Sequence, residues 1–239
     1  DNDSILDLFF VGGKLADPSE GKTPTPGRHR LYRGLGNWRF EEVTEQSGLN
    51  QPVPGMGMGC SAGDFGNDGA VDLFVAGYRF FQLWRNNGDG TFQNVTKLLG
   101  SATPLWSTSA AFADLDADGY LDLFVVNYVD WTPESKPCFF DDRKTRRICS
   151  PLMFPAEPDY LFHNLGDGRF EEIGQAAGVA GVAEGKGLAI EIADLNNDGW
   201  LDVYVANDAA HNALFQNRGE MRFENLAIPS GVAISSTGV

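Results

Sequence analysis

Aspartates recur in this chain at spacings that let several carboxylates converge on one point. DFGNDGAVD begins at Asp64, DLDADGYLD at Asp114 and DLNNDGWLD at Asp194, and the chain opens on the related DNDSILD. In the form D-x-D-x-D-G-x-x-D, side-chain oxygens at positions 1, 3, 5 and 9 can face a common centre. The glycine at position 6 permits the sharp turn, and the carbonyl at position 7 adds an oxygen. Such an all-oxygen set suits Ca²⁺, a hard cation taking about 6–8 oxygens at roughly 2.3–2.6 Å in flexible geometry. Magnesium demands stricter octahedral geometry and more water. Nothing here offers the soft ligands that zinc or copper select.

The expected ligands follow position by position. The third unit supplies Asp114, Asp116, Asp118 and Asp122 with the Tyr120 carbonyl; the fourth supplies Asp194, Asn196, Asp198 and Asp202 with the Trp200 carbonyl. In the second unit Gly66 replaces the position-3 ligand, leaving Asp64, Asp68 and Asp72 with the Ala70 carbonyl, so a weaker or more hydrated site is expected. The first unit keeps Asp1, Asp3 and Asp7, with Ser4 in the glycine's place, and is the weakest candidate. An EF-hand starts alike but needs Glu at position 12 and then a helix. Here position 12 is Val75, Val125 or Val205. One such loop reads equally as a metal-free polar turn; four at equivalent positions do not. Up to four ions, one per loop, would move the formal charge by +8, from −15 to −7. Clustered carboxylates repel until a cation neutralises them, so the ion is expected to be structural. A catalytic ion needs an open position beside a base or nucleophile, and none is visible.

These loops belong to a repeating frame. After each comes a second shared stretch: LYRGLGNWRFEEV, LWRNNGDGTFQNV, LFHNLGDGRFEEI and LFQNRGEMRFENL. Their anchors Phe40, Phe92, Phe170 and Phe223 are spaced 52, 78 and 53 apart. A fixed period is the mark of a repeat architecture. The unit is about 50 residues, read as four strands. One strand enters the Asp loop (Ser109 to Asp114), one leaves it (LDLFVVN), and two form a hairpin on a Gly-rich turn. The second strand is almost continuously apolar, so both its faces are covered. Four-stranded sheets stacked face to face around an axis meet that demand: an all-β propeller. A β-sandwich is the alternative, disfavoured by the regular period.

The units are expected at about 1–48, 57–98, 107–178 with an insertion at 129–158, and 187–227, with another beginning at 231–239. Residues 1–239 thus read as one propeller or part of one. Asp1 corresponds to position 3 of the loop, which favours an excerpt of a larger propeller over a ring closed by the last residues, GVAISSTGV.

Composition removes some function classes. The formal net charge of −15 disfavours nucleic acid as a partner, because phosphate binding needs clustered Lys and Arg. No apolar run is long enough to span a membrane. Cys138 and Cys149 are either two loop thiols or a bridge closing about a dozen residues; the bridge, worth roughly 3 kcal/mol, fits an oxidising compartment. Cys60, in a strand beside a metal loop, is expected to be buried.

The loops resemble those of FG-GAP and VCBS repeat proteins, which include integrin α-subunit propellers. FEEVTEQSGL (Phe40 to Leu49), GKGLAIEIADLNNDGWLDVYVAND (Gly185 to Asp208) and the Cys-containing insertion resemble the cartilage acidic protein and UnbV-like group. The resemblance covers nearly the whole chain and implies a secreted or envelope-facing propeller, extracellular or periplasmic, with calcium in its blade loops. The FG…GAP signature itself is poorly kept around Ser61-Ala62-Gly63-Asp64.

Outside the loops, Arg143, Lys144, Arg146 and Arg147 form a basic spot in the insertion, able to meet an anionic partner or glycan, or simply a solvated tip. Glu191 interrupts a first strand and, with Lys186, Asp208 and His211, could form a polar channel site, or else a structural ion pair or wet channel wall. His163 falls at a variable hairpin position shared with Arg33, Arg85 and Gln216 and is given no role; His29 is uninformative. The leading function is a calcium-stabilised, extracytoplasmic, non-enzymatic binding or scaffold module for a protein or glycan. The alternatives are a polysaccharide-acting lyase or hydrolase, with acid–base chemistry near Glu191, and an accessory subunit of a larger envelope complex.

Overall fold

A computed structural model describes residues 3–13, 27–141, 144–180 and 185–234. The described chain is almost wholly strand and turn. Three sheets are four-stranded antiparallel meanders: β4 (Gly57–Gly63), β5 (Asp72–Gly77), β6 (Phe80–Asn86) and β7 (Phe92–Asn94); then β8 (Ser107–Ala113), β9 (Asp122–Asn127), β12 (Tyr160–Asn164) and β13 (Phe170–Glu172); then β14 (Gly187–Ala193), β15 (Asp202–Asn207), β16 (Ala213–Asn217) and β17 (Phe223–Asn225). The first unit shows three strands among the described residues, β1 (Leu8–Phe10), β2 (Arg30–Gly34) and β3 (Phe40–Glu42). Within each of the last three units, the Asp loop joins the first strand to the second. The period of about 50 residues is therefore one sheet per repeat, as the all-β propeller reading requires.

The sheets stack through apolar layers. Leu31, Leu73, Val75 and Trp84 fill the space between the first and second. Phe74, Leu83, Val125 and Phe162 fill the next, and Phe124, Val126, Val203 and Phe215 the last. Covering on both faces explains the unbroken apolar second strands: β5 and β9 are buried at every residue. Among the described residues the outermost second strands have a neighbour on one side, and β1 and β15 are correspondingly less buried. Inner strands β4 and β8 approach so closely that a Cβ on Gly59 would lie 2.6 Å from the Thr108 carbonyl oxygen. Only glycine fits there.

Cys60 is exposed, contrary to expectation. Gly59 and Gly63 of β4 face the β8 side, so by strand alternation Met58, Cys60 and Ala62 face the first unit. That unit offers no inner strand among the described residues to cover them.

The insertion between β9 and β12 carries a short hairpin, β10 (Cys138–Phe139) with β11 (Arg146–Arg147). Cys138 and Cys149 form a disulfide with their Cα atoms 5.2 Å apart. The base of the insertion is tied to the second unit, because Arg79 pairs with Asp130 at 2.6 Å and with the buried Glu157 at 2.8 Å. Trp106 packs edge to face with Tyr78 and Tyr128 beside it, and Trp131 packs at a tilt on Tyr78 and Trp106. The further unit expected at 231–239 lies partly outside the described residues, and residues 231–234 form no strand.

Candidate metal centre

Each Asp loop is built by its own carboxylates before any ion is considered. In the third unit Asp114 accepts the backbone N–H groups of Asp118 (3.1 Å) and Gly119 (3.0 Å), while Asp118 accepts that of Tyr120 (2.8 Å). The fourth unit repeats this with Asp194 accepting from Asp198 and Gly199, and Asp198 from Trp200. The second repeats it with Asp64 accepting from Asp68 and Gly69, and Asp68 from Ala70. Two residues per loop take left-handed backbone: Gly119 (φ 91°) at position 6, as expected, and Ala117 (φ 59°) at position 4. Asn67 and Asn197 do the same as Ala117, and the motif gives no sign of that requirement.

In the last three units the ninth-position carboxylates differ from the rest in being buried, whereas Asp7 of the first is exposed. Asp122 accepts the N–H groups of Leu115 (3.0 Å) and Asn164 (2.9 Å). Asp72 accepts those of Phe65 and Asn86, and Asp202 those of Leu195 and Asn217. Each thereby fastens loop, second strand and hairpin of one sheet. Burial pushes the Asp72 and Asp122 carboxyls up to about 6, against the lowering effect of these hydrogen bonds. Asp116 is also raised, by burial first and then by the neighbouring charge of Asp118. Carboxylates enclosed beside other carboxylates call for a cation.

In the third unit, Asp114, Asp116 and Asp122 bring one oxygen each to within 4.8 Å of one another. Asp118 stays outside that trio. His163 stands beside it, its Nδ1 3.1 Å from Asp122 and 3.7 Å from Asp116. Sequence reading assigned His163 nothing; its hairpin equivalent Gln216 likewise bonds a loop carboxylate, Asp198, and neither contact is visible in the sequence. In the fourth unit Asn196 donates to Asp198 at 2.8 Å, and its amide oxygen accepts the Asp198 N–H. Gly66 leaves the second unit without a third-position oxygen, and a Cβ there would point at Asp68 and Asp64. In the first unit Asp3 accepts from Ile5 and Asp7 from Gly34, so both keep their motif roles. Ser4 adopts the glycine's left-handed backbone (φ 66°). Asp1 lies outside the described residues. The donor set is oxygen throughout and fits Ca²⁺, with the third unit the most assembled.

In the second and third units the second-position residue of the loop does something the motif does not announce. Phe65 leaves its own sheet and stacks on Phe112 and Phe170 of the next. Its carbonyl accepts from Asn164 Nδ2 at 2.9 Å. Leu115 likewise enters the fourth unit, where Asn217 Nδ2 reaches its carbonyl at 2.7 Å. Both wedges are almost fully buried.

The four residues weighed as a channel site do not all come together. Asp208 and Lys186 meet at the end of β14 and β15, where the Asp208 N–H donates to the Lys186 carbonyl. Glu191 sits five residues further along β14, roughly 17 Å away at strand rise, opposite Tyr204. Asp208 accepts from the Tyr128 hydroxyl at 2.6 Å, and His211 meets Asn207 only through its carbonyl. His29 is fully buried, accepting from Gly12 N–H at Nδ1 and meeting Gln82 at Nε2.

Three curated relatives share part of the sequence. Cartilage acidic protein 1 of Homo sapiens is 38 % identical over 76 residues, covering 30 % of this chain and 11 % of its own. The Xenopus tropicalis form is 38 % identical over 74 residues (29 % and 11 %), and the Mus musculus form 37 % over 76 (30 % and 12 %). The matched part thus spans about a tenth of those relatives. A solved Agrocybe aegerita lectin, described as recognising non-reducing terminal N-acetylglucosamine, overlays at 16 % identity with a TM-score of 0.43, covering 92 % of this chain and 52 % of its own. The FG-GAP-like repeat pattern matches residues 1–75, 64–125, 152–205 and 194–239. With the pattern running through all four sheets and their Asp loops, the chain belongs to the FG-GAP-like repeat family.

Proposed function

We propose that this chain is a calcium-stabilised, extracytoplasmic binding or scaffold module that engages a protein or glycan and carries out no catalysis. The observation carrying the metal reading is the third-unit oxygen cluster, Asp114, Asp116 and Asp122, with Asp122 buried and pushed up to about 6. A divalent ion there would be held by those carboxylates, aided by Asp118 and the Tyr120 carbonyl. It would supply charge neutralisation that pins loop to sheet. Asp194, Asn196, Asp198 and Asp202 would do the same in the fourth unit, with fewer oxygens available in the second and first. The Cys138–Cys149 bridge supports an extracellular or periplasmic setting. The dispersal of Glu191, Lys186, Asp208 and His211 supports a non-enzymatic role over polysaccharide cleavage.

The test is thermal melting in 1 mM EDTA, in excess CaCl₂ and in equal MgCl₂, with calorimetric titration of the metal-free protein. Calcium should raise the midpoint by several degrees and magnesium by much less. An unchanged midpoint with no calorimetric binding would overturn the metal reading.

A further inference from the structure

The insertion ends in an apolar, cationic tip that neither the sheets nor the metal loops require. Phe140, Leu152 and Met153 are 53 %, 64 % and 61 % exposed, and Ile148 is 95 % exposed. They gather around the disulfide: Met153 Sδ lies 3.5 Å from Cys138 Sγ, and Ile148 precedes Cys149. Arg146 and Arg147 occupy β11 beside them, both exposed. Residues 136–153 hold five Lys or Arg and two Asp, a net of +3 in a chain of −15, leaving −18 for the remainder.

We propose that this disulfide-closed hairpin docks the protein onto an anionic lipid surface. The sign of the charge selects an anionic partner. The exposure selects a fluid one: the apolar side chains stand open to solvent, and acyl chains accommodate them without a matching pocket. Large apolar residues flanked by Lys and Arg are the composition of interfacial segments that enter the headgroup boundary without spanning. The tip is held firmly by the disulfide, by Arg79 on Asp130 and Glu157, and by the Asp130 N–H on the Pro155 carbonyl. Topology reduces the obvious objection, repulsion by the acidic Asp loops, and of the carboxylates at the insertion's own base Asp130 and Glu157 are paired with Arg79. The insertion leaves the second strand at the end opposite the Asp loops. β9 is six residues long, roughly 20 Å at strand rise, against a Debye length of about 8 Å at physiological salt.

The experiment is flotation of the calcium-loaded protein with vesicles of phosphatidylcholine alone or of phosphatidylcholine with phosphatidylglycerol (3:1), at fixed calcium. Binding is expected only to the anionic vesicles and should vanish in 0.5 M NaCl. Each of Arg146→Gln and Arg147→Gln should lower partitioning roughly five-fold. Ile148→Asp should abolish it, and Lys97→Gln, outside the insertion, should leave it intact. Melting of each variant verifies folding, since all these side chains are exposed. Equal binding to neutral vesicles, or binding that ignores the hairpin variants, would overturn the proposal. So would hairpin-dependent self-association without lipid, which would assign the tip to a second copy of the chain.

Discussion

Residue by residue, the carboxylates of each loop divide into two kinds. Those at positions 1 and 5 brace exposed backbone turns. In the last three units the one at position 9 is buried and fastens three segments, which the motif alone does not reveal. Asp122→Ala strands the N–H groups of Leu115 and Asn164. In calcium it should cost at least about 2–4 kcal/mol by urea denaturation. The loss should be smaller in EDTA, the difference measuring coupling to the ion. His29 gives a separate pH signature. Burial holds its imidazole below the ordinary value near 6.5. The unfolded chain therefore binds more protons below that pH, and stability falls as pH drops through about 6.5. The stability advantage of wild type over His29→Gln should shrink between pH 7 and pH 5; an advantage independent of pH would remove His29 as the cause. Nothing in HRLYRG distinguished this buried, fully bonded histidine from one in a loop.

For strands and turns, the sequence was informative where chemistry repeats and silent where packing decides. The four Asp loops, the hairpins, the insertion at 129–158 and the buried second strands follow from spacing and apolar runs. The wedge residues do not: Phe65 and Leu115 look like ordinary spacers, and only the structure shows them crossing into the following sheet. Asn164 and Asn217 resemble turn residues, yet they clamp those wedges. Leu115→Ala empties a filled site and should cost about 2–5 kcal/mol. Asn217→Ala should cost about 1–3 kcal/mol, through the orphaned Leu115 and Leu201 carbonyls. If calorimetry finds Asn217→Ala neutral, the clamp is a contact of no energetic weight.

In the molecule as a whole, burial grades from the middle outward. Among the described residues, the second strands of the second and third units are covered on both faces. The first and fourth units leave Leu8, Phe10, Phe40, Leu188 and Leu195 well exposed. Cys60 was misread from its strand alone because its exposure depends on what lies beside the sheet. Removing the Cys138–Cys149 bridge should act locally. The closed segment is short and lies outside the stacked sheets, so Cys138→Ala/Cys149→Ala should cost no more than roughly 3 kcal/mol. Calcium-dependent melting should persist in that variant. Loss of the calcium response on reduction would mean that insertion and loops are coupled.

The wedges have a direction. Each leaves the turn of one unit and seats in the unit that follows, never in the one before. An ion lost from the Asp114 turn would therefore loosen β16 through Leu115 and the preceding unit's loop through Asn67, whose Nδ2 donates to the Gly119 carbonyl at 3.1 Å. Amide exchange in an Asp118→Asn chain should accelerate on both sides of the third unit, more strongly downstream, where a buried wedge rather than an exposed hydrogen bond makes the contact.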